Sequence, residues 1–361
     1  MNKQQLITEL QSQGLKLIDP SLGAAGRKGG AGPSDHKAVT VDGTTVMVPV
    51  FNSPAARSPY TIAVNASEPL LLEREGEVVS AITLPQPPQF YNLATADGIP
   101  YWKIALLHSR DVLATTVLQT CMRYTDPATA CQFCAIGQSL EADKTIARKT
   151  PAQLAEVAEA AVRLDGVKHL IMTTGTPNTS DRGAAYLSEC ARAVRSRVNL
   201  PIQAQCEPPD DFHWFDRMKA AGVDSLGMHL EAADPIVRAK IMPGKASVPL
   251  EHYYRAFDAA VKVFGRGQVS TYLLAGLGDS LATLVEMCDR LIQMGVYPFV
   301  VPFVPISGTP LANHPSPKSE FMLMVYEQVG ALLKRAGMSS AEMKAGCGKC
   351  GACSALSQFE T

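Results

Sequence analysis

The chain has 361 residues, 46% hydrophobic and 19% charged, with a net charge of −1 from 33 basic and 34 acidic side chains. At about 150 residues per domain, this length fits two domains or one barrel with additions, and the composition is that of a folded globular protein. The balance excludes a basic surface for nucleic acid, no apolar run reaches the roughly 18 residues of a membrane span, and MNKQQLITELQSQG has no signal-peptide core, so a cytoplasmic protein is expected.

Residues 1–104 read as a β-rich N-terminal domain or extension. An amphipathic start with Leu6, Leu10 and Leu15 leads into the glycine-rich stretch 23–33. The runs AVTV and TTVMVPVF flank Asp42-Gly43, a hairpin signal. YTIAV and LLLEREGEVVSAI read as further strands, and PQPPQF at 85–90 as a linker.

From about 105 to 315 strands alternate with helices. TTVLQ precedes Cys121. Thr150-Pro151-Ala152-Gln153 opens a helix, with a Thr cap, Pro in the first turn and Gln three residues on. Strands HLIMT (169–173), IQAQC (202–206), SLGMHL (225–230), QVSTYLLAG (268–276) and YPFVVPFV (297–304) follow, separated by helical patterns. Short buried strands alternating with helices imply a parallel sheet. The expected fold is α/β, a partial (β/α)6 TIM-type barrel, with chemistry at the C-terminal ends of its strands. Residues 316–361 then form a helix around FMLMVYEQVGALLKRAG and a cysteine-bearing tail.

Six of the nine cysteines fall in two groups. An odd number in a chain without a signal peptide is poor evidence for a disulfide framework. Cys121, Cys131 and Cys134 are spaced C-x9-C-x2-C after the first barrel strand. Three thiolates there can hold three irons of a cubane cluster and leave one iron open. A zinc site with a fourth ligand, or three buried thiols, are the alternatives.

The segment ATTVLQTCMRYTDPATACQFCAIG resembles the cluster loop of radical S-adenosylmethionine (SAM) enzymes, with Phe133 at the aromatic position and a longer spacing between the first two cysteines. A longer loop adds little closure cost. MTTGTPNTSDRGAAYLSECARAVR, GMHLEAADPIVRAKIMPGK, HYYRAFDAAVKVF and LLAGLGDS are similar to the second unit, the fourth unit, the helix after it and the GLGE turn of lipoyl synthases, and VPFVPISGTPL to the last strand of biotin synthase. The likeness covers about 105–315. The chain also resembles an uncharacterised radical SAM group associated with nitrilase-type gene clusters.

The resemblance implies a SAM-binding 4Fe–4S cluster on Cys121, Cys131 and Cys134, which cleaves SAM to a 5′-deoxyadenosyl radical that takes hydrogen from a small organic substrate. It implies a reducing partner such as ferredoxin or flavodoxin. It places Phe133 near the adenine, Thr174 and Gly175 at the methionine amino group, Glu231 and His229 at the ribose hydroxyls, and Arg255 on the SAM carboxylate. Gly276 and Gly278 would admit the adenosine. Each has a plainer reading: Phe133 as core, His229 as a structural histidine, Glu231 with Arg255 as an ion pair, and the glycines as a tight turn.

Cys347, Cys350 and Cys353, spaced C-x2-C-x2-C among glycines, read as an auxiliary Fe–S cluster, with a zinc knot or a redox-active tail as alternatives. Cys206 is one candidate for its fourth ligand. Cys190 and Cys288 sit in helical patterns and read as core thiols. Neither the N-terminal auxiliary-cluster cysteines nor the C-terminal Arg-Ser-Ser-Tyr of lipoyl synthase is present, and Ser270 stands at one of the positions that hold biotin synthase's second cluster. The product is therefore not inherited from either enzyme. Gln203, Gln205, Cys206, Glu207 and Tyr272 are candidate barrel-lining residues. Substrate binding or sulfur donation by the auxiliary cluster stands beside two other readings: a non-catalytic electron-transfer or redox-sensing protein, and a zinc-stabilised interaction protein.

Overall fold

The computed structural model describes residues 1–16, 35–63 and 70–360. The glycine-rich stretch 23–33 lies outside them. The chain opens with helix α1 (Lys3–Gln13), capped by the Asn2 side chain on the Gln5 N–H. Strands β1 (His36–Val41) and β2 (Thr44–Pro49) form the expected hairpin. Asp42 and Gly43 both have positive φ, 46° and 74°, as a two-residue turn between twisted antiparallel strands requires. After the short α2 (Ser53–Ala56) come β3 (Tyr60–Ala63), β4 (Leu70–Arg74) and β5 (Glu77–Thr83). Together they make an antiparallel sheet of order β2-β1-β5-β4-β3. Leu6, Ile7 and Leu10 of α1 pack in one apolar core with Val39, Val41 and Val48 of that sheet.

The second sheet begins after α3 (Tyr101–Ile104), with the edge strand β6 (Leu106–His108) antiparallel to β7 (Val112–Thr116). The first parallel strand thus lies earlier than TTVLQ placed it. Residues beyond Thr116 leave the ladder to begin the cysteine loop, where Leu118 bridges Arg148. The chain continues through α4 (Gln138–Glu141) and α5 (Pro151–Asp165), then β8 (His169–Thr173), α6 (Ala184–Arg197), β9 (Ile202–Gln205) and α7 (His213–Ala220). β10 (Ser225–Gly227), α8 (Pro235–Ile241), α9 (Pro243–Ala246) and α10 (Leu250–Phe264) follow. β11 (Val269–Ala275), α11 (Leu281–Gln293), β12 (Val296–Pro302), α12 (Ser319–Ala336) and the tail turn α13 (Cys347–Cys350) complete the order. The Thr150 and Gln153 capping box at α5 is formed on both sides.

Strands β7 to β12 are parallel and in sequence order, the (β/α)6 arrangement. All residues of β7, β9 and β12 are buried, as strands covered on both faces must be. One face of the sheet curls around a cavity: Ala114 of β7, Ile171 of β8, Gln205 of β9, Tyr272 of β11 and Val301 of β12 all line it. Cys190 and Cys288 are fully buried core thiols. Among the described residues, no helix is long and apolar enough to cross a membrane.

Candidate active site

The upper end of the cavity is built at the C-terminal ends of the parallel strands. Residues 117–137, after β7, are tied to the end of β8: Gly175 N–H donates to Leu118 O (2.9 Å) and Met122 N–H to Thr176 O (2.9 Å). A Cβ on Gly175 would lie 2.1 Å from Thr120 O, so only glycine permits this approach next to Cys121. The far side of the loop is held by Gln132, whose N–H donates to Ile241 O (2.8 Å) and whose carbonyl accepts from Leu311 N–H (3.3 Å). Phe133 packs against Ile241, Leu277 and Phe303 and borders the cavity.

Cys121, Cys131 and Cys134 are free thiols, none fully exposed or fully buried. Burial pushes the Cys131 thiol up to about 12 and Cys134 up to about 11; the field of Cys121 adds to the rise at Cys134, while Lys245 opposes it at both. Without metal these groups are protonated, and ligation would release their protons. Among the described residues, no three His, Cys, Asp or Glu side chains are gathered around the position of a single ion. Thiolates that each bind a different iron of a cubane stand farther apart than ligands of one ion. Cys131 lies within the field of Cys134 and Cys134 within that of Cys121, with the cationic Lys245 acting on both Cys131 and Cys134, and three thiols are the donor set that three irons of a cubane take.

Glu231 follows β10 with φ 68° and extends the sheet by one bridge to Leu273. Its carboxylate takes a 2.9 Å ion pair from Lys245 Nζ, with both side chains about nine-tenths buried. Burial pushes the Glu231 carboxyl up, but Lys245, with help from His229 and Arg238, outweighs it and leaves the group below the ordinary carboxylate range. His229 Nδ1 accepts from Tyr272 N–H (3.2 Å), so Nε2 carries the hydrogen; that atom is buried and unpartnered at the cavity wall. Burial lowers its imidazole to about 4, so it is neutral at pH 7. Gly276 (φ 107°) turns the chain beside Pro317, and Gly278 (φ 134°) beside Val237.

Behind this end lies a second cavity of about 320 Å³, lined by Arg123, Thr179, Arg182, His252 and Arg255. Arg123 is ion-paired with Glu207, which also accepts from Thr176 Oγ1 (2.7 Å). Arg182 is bound by Asp210 at 2.7 Å, and its other terminal nitrogen is buried without a partner. Arg255 is exposed and opens here, not onto the central cavity. Thr174 Oγ1 donates to Gly175 O (2.8 Å).

The tail cysteines lie at the opposite end, against the N-terminal ends of the strands. Gly346 N–H donates to His169 Nδ1 (3.3 Å), Cys347 N–H to Gln203 Oε1 (3.1 Å), and Lys344 N–H to Gln268 Oε1 (2.9 Å). Gln205 Nε2 donates to Gln203 Oε1 (2.7 Å) and to Cys347 Sγ (3.1 Å). Tyr272 partly offsets the rise that burial gives the Cys347 thiol, and Ser109 does so at Cys350. From below, Met47 N–H and Gln11 Nε2 both donate to Ala352 O, at 2.7 and 2.9 Å. The N-terminal sheet thus seals the tail into the barrel.

The central cavity of about 330 Å³ joins the two ends: Phe133, His229 and Glu231 border it at one, Cys347, Cys353 and His108 at the other. Its side walls are mainly apolar, with Ile171, Leu274, Val301 and Phe303. Of the five proposed lining residues, Gln205 and Tyr272 line it, Gln203 supports Gln205 from behind, and Glu207 is engaged with Arg123. The buried Cys206 thiol lies within the fields of Glu207, Asp181 and Arg182. Sequence reasoning did not single out Lys245, Arg123 or His108. The run MPGK, fourteen residues past Glu231, carried no pattern tying Lys245 to that carboxylate.

Residues 125–291 match the model of the Radical SAM superfamily. The matched segment contains Cys131 and Cys134 and begins just after Cys121. The bacteriochlorophyllide c C-7(1)-hydroxylase of Chlorobaculum limnaeum is 30% identical over 224 residues, 56% of this chain and 55% of that protein. The chain thus spans about half the length of this relative. Among solved structures, methylornithine synthase is similar at 17% identity and TM-score 0.46, over 60% of this chain and 61% of that one. The FeFe-hydrogenase maturase HydG of Carboxydothermus hydrogenoformans is similar at 17% identity and TM-score 0.46, over 64% and 53%.

Proposed function

Because residues 125–291 match the Radical SAM superfamily model, we propose that this chain is an enzyme that cleaves SAM at a cluster on Cys121, Cys131 and Cys134 and takes hydrogen from a small organic substrate in the central cavity. The observation that carries this reading is the cavity itself. It is bordered at one end by the residues beside the cysteine loop and at the other by two tail cysteines. When bound and reduced, the cluster supplies the electron that splits SAM into methionine and a 5′-deoxyadenosyl radical, the agent of hydrogen abstraction. A ferredoxin or flavodoxin is the class of protein that would deliver that electron.

The chain's own residues bind and shield. Phe133 offers a face to the adenine. Glu231 accepts from the ribose hydroxyls while held by Lys245, and the neutral His229 donates to one of them through Nε2. Thr174 and the close Gly175 turn present backbone to the methionine amino group. Arg255, which stands with Arg123 and Arg182 on the second cavity, would offer a guanidinium to the SAM carboxylate only if the methionine end of SAM reaches into that cavity. Gly276 and Gly278 leave room at the adenosine side. The apolar walls exclude water from the radical step.

A second metal centre on Cys347, Cys350 and Cys353 would face the same cavity, within reach of the substrate. Cys347, Cys350 and Cys353 would hold an auxiliary Fe–S cluster there, which would supply an anchor for the substrate or a source of sulfur. Hydroxylation of carbon, the reaction named for the relative, also begins at a C–H bond; only that reaction class is carried over. The test is iron and acid-labile sulfide per chain after anaerobic reconstitution, with 5′-deoxyadenosine assayed under reduction. About eight irons, falling to about four when Cys347, Cys350 and Cys353 are changed to Ala, support two cubanes. Clusters without any SAM-dependent deoxyadenosine refute the enzyme reading in favour of an electron carrier. Loss of the tail cluster after about one turnover selects sulfur donation; many turnovers with intact clusters exclude it.

A further inference from the structure

One buried polar atom at the central cavity is engaged by neither the fold nor the proposed SAM site. Gln11, on α1, is 2% exposed and borders the cavity. Its Nε2 donates to Ala352 O at 2.9 Å, beside the 2.7 Å bond from Met47 N–H to the same carbonyl. A carbonyl oxygen only accepts, so this contact fixes which way the amide faces: the NH₂ is held by Ala352, and Oε1 remains as an acceptor. Among the described residues, Oε1 is buried and has no hydrogen-bond partner. A buried acceptor without a donor carries its full desolvation cost, which an apolar side chain of similar size would avoid. The other unpartnered buried atom on a residue of this cavity is His229 Nε2, at the opposite end. It is a donor, and a ribose hydroxyl of SAM is its proposed partner.

The two ends of the cavity therefore call for different groups. Between them the walls are apolar, with Ile171, Leu274, Val301 and Phe303. At the base, Gln11 stands with His36 of β1 and Met47 of β2, so the N-terminal helix and sheet help to close the pocket. A cavity of about 330 Å³ with apolar walls and one fixed acceptor suits a small molecule with a hydrocarbon body and a donor at its tip. An ether oxygen or a carboxylate brings only lone pairs to Oε1 and leaves it unpaired. We propose that Gln11 Oε1 accepts a hydrogen bond from a hydroxyl or N–H at one end of the substrate, which makes the N-terminal unit the part of the chain that selects it. The proposal rests on the reading of the central cavity as the substrate site. It also sets the position of attack. The radical arises at the head, beside Phe133, His229 and Glu231, so the C–H bond it attacks belongs to the end of the substrate remote from the hydroxyl or N–H.

The experiment measures three probes of similar shape on full-length, anaerobically reconstituted protein with SAM present, by ligand-observed NMR titration. 2-Phenylethanol carries a hydroxyl, 2-phenylacetamide an N–H, and 2-phenylethyl methyl ether no donor. Leu274→Trp, whose indole would occupy the cavity, identifies central-site binding as the part it abolishes. In the wild type, one donor probe should bind roughly three- to tenfold more tightly than the ether, the factor that a single neutral hydrogen bond supplies. Which probe gains tells a hydroxyl from an N–H. In Gln11→Met that probe should fall to the level of the ether, with ether affinity kept. Equal affinities in the wild type, a preference that survives Gln11→Met, or failure of all three to bind at the central site overturns the proposal. If Gln11→Met loses the ether as well, the variant has disturbed the base, and the crystal structure of the wild type with the tighter donor probe decides. A hydroxyl or amide nitrogen within hydrogen-bond reach of Gln11 Oε1 supports the proposal; a probe oriented otherwise, or an ordered water kept on Oε1, refutes it. 5′-Deoxyadenosine formed under reduction is assayed on the same samples. Failure of the SAM-cleaving reading shows there, and failure of the Gln11 assignment shows in the affinities.

Discussion

Lys245→Met isolates the buried ion pair at the head of the cavity. Lys245 and Glu231 are 10% and 12% exposed at the side chain and 2.9 Å apart, so removing the cation leaves a carboxylate with no comparable partner in a poorly hydrated place. The variant has an escape: the carboxyl can take a proton. With an ordinary value of 4.5, holding that proton at pH 7 costs about 1.36 × 2.5, or ~3.4 kcal/mol, which caps the damage. At pH 5 the same escape costs about 0.7 kcal/mol. Unfolding entropy of roughly 2.1 cal/mol/K per residue over the whole chain converts these to a Tm loss of about 4–5 °C at pH 7 and about 1 °C at pH 5. Glu231→Gln strands the opposite charge, so its penalty should grow as pH falls. The double variant should lie closer to wild type than the sum of the two. Matched-rate calorimetry of anaerobic protein at both pH values measures all four. A Lys245→Met penalty below about 1 kcal/mol at pH 7, or one that does not shrink toward pH 5, would show that the pair is hydrated and the argument wrong.

Three further outcomes are expected. Gly175→Ala, whose Cβ would sit 2.1 Å from Thr120 O, should destabilise by about 1–3 kcal/mol and lower the iron retained by the first cysteine group; normal iron content and Tm would refute the close-approach argument. Gly346→Ala combines a φ of 114° with a Cβ 2.2 Å from Gln203 Nε2, so it should release the tail, seen as faster protease cleavage near residue 346 with the barrel intact; unchanged cleavage would refute it. His169 is buried and held down to about 4, by burial first, while its unfolded value is 6.5. The stability it contributes is complete above pH 6.5 and is lost as pH falls toward 4, about 2 kcal/mol between pH 7 and 5. His169→Gln should flatten that part of the pH–stability curve; an unchanged slope would rule the residue out.

The barrel was legible because its strands are short apolar runs bounded by helix signals. HLIMT is strand β8 residue for residue, and Asp42-Gly43 adopts the turn that its chemistry dictates. The strand expected at 202–206 ends one residue earlier, at Gln205, so that Cys206 lies just past it. Long-range placement was not legible. β6 has three residues, too few for any period to register. Nothing local to C-x2-C-x2-C tells which end of the barrel it meets; that depends on His169, Gln203 and Gln268, which lie far back in the chain. Lys245 escaped for the same reason, since a buried cation is recognised by its partner and not by its neighbours.

The floor of the barrel has a consequence for the order of assembly. Gln11 and Ala352 meet across 341 residues, and Gly346 and His169 across 177. Contacts of such separation form slowly, after the local strand–helix units have condensed. During synthesis the barrel therefore stands open at its base until the tail arrives, and the N-terminal sheet waits without the carbonyl it is built to hold. If the tail holds a metal centre as proposed, that interval is when its three cysteines would be most accessible for loading. A protein that closes before loading would carry the first cysteine group intact and an empty base. On that proposal, the order of assembly, and not affinity alone, would decide how many chains in a preparation are complete.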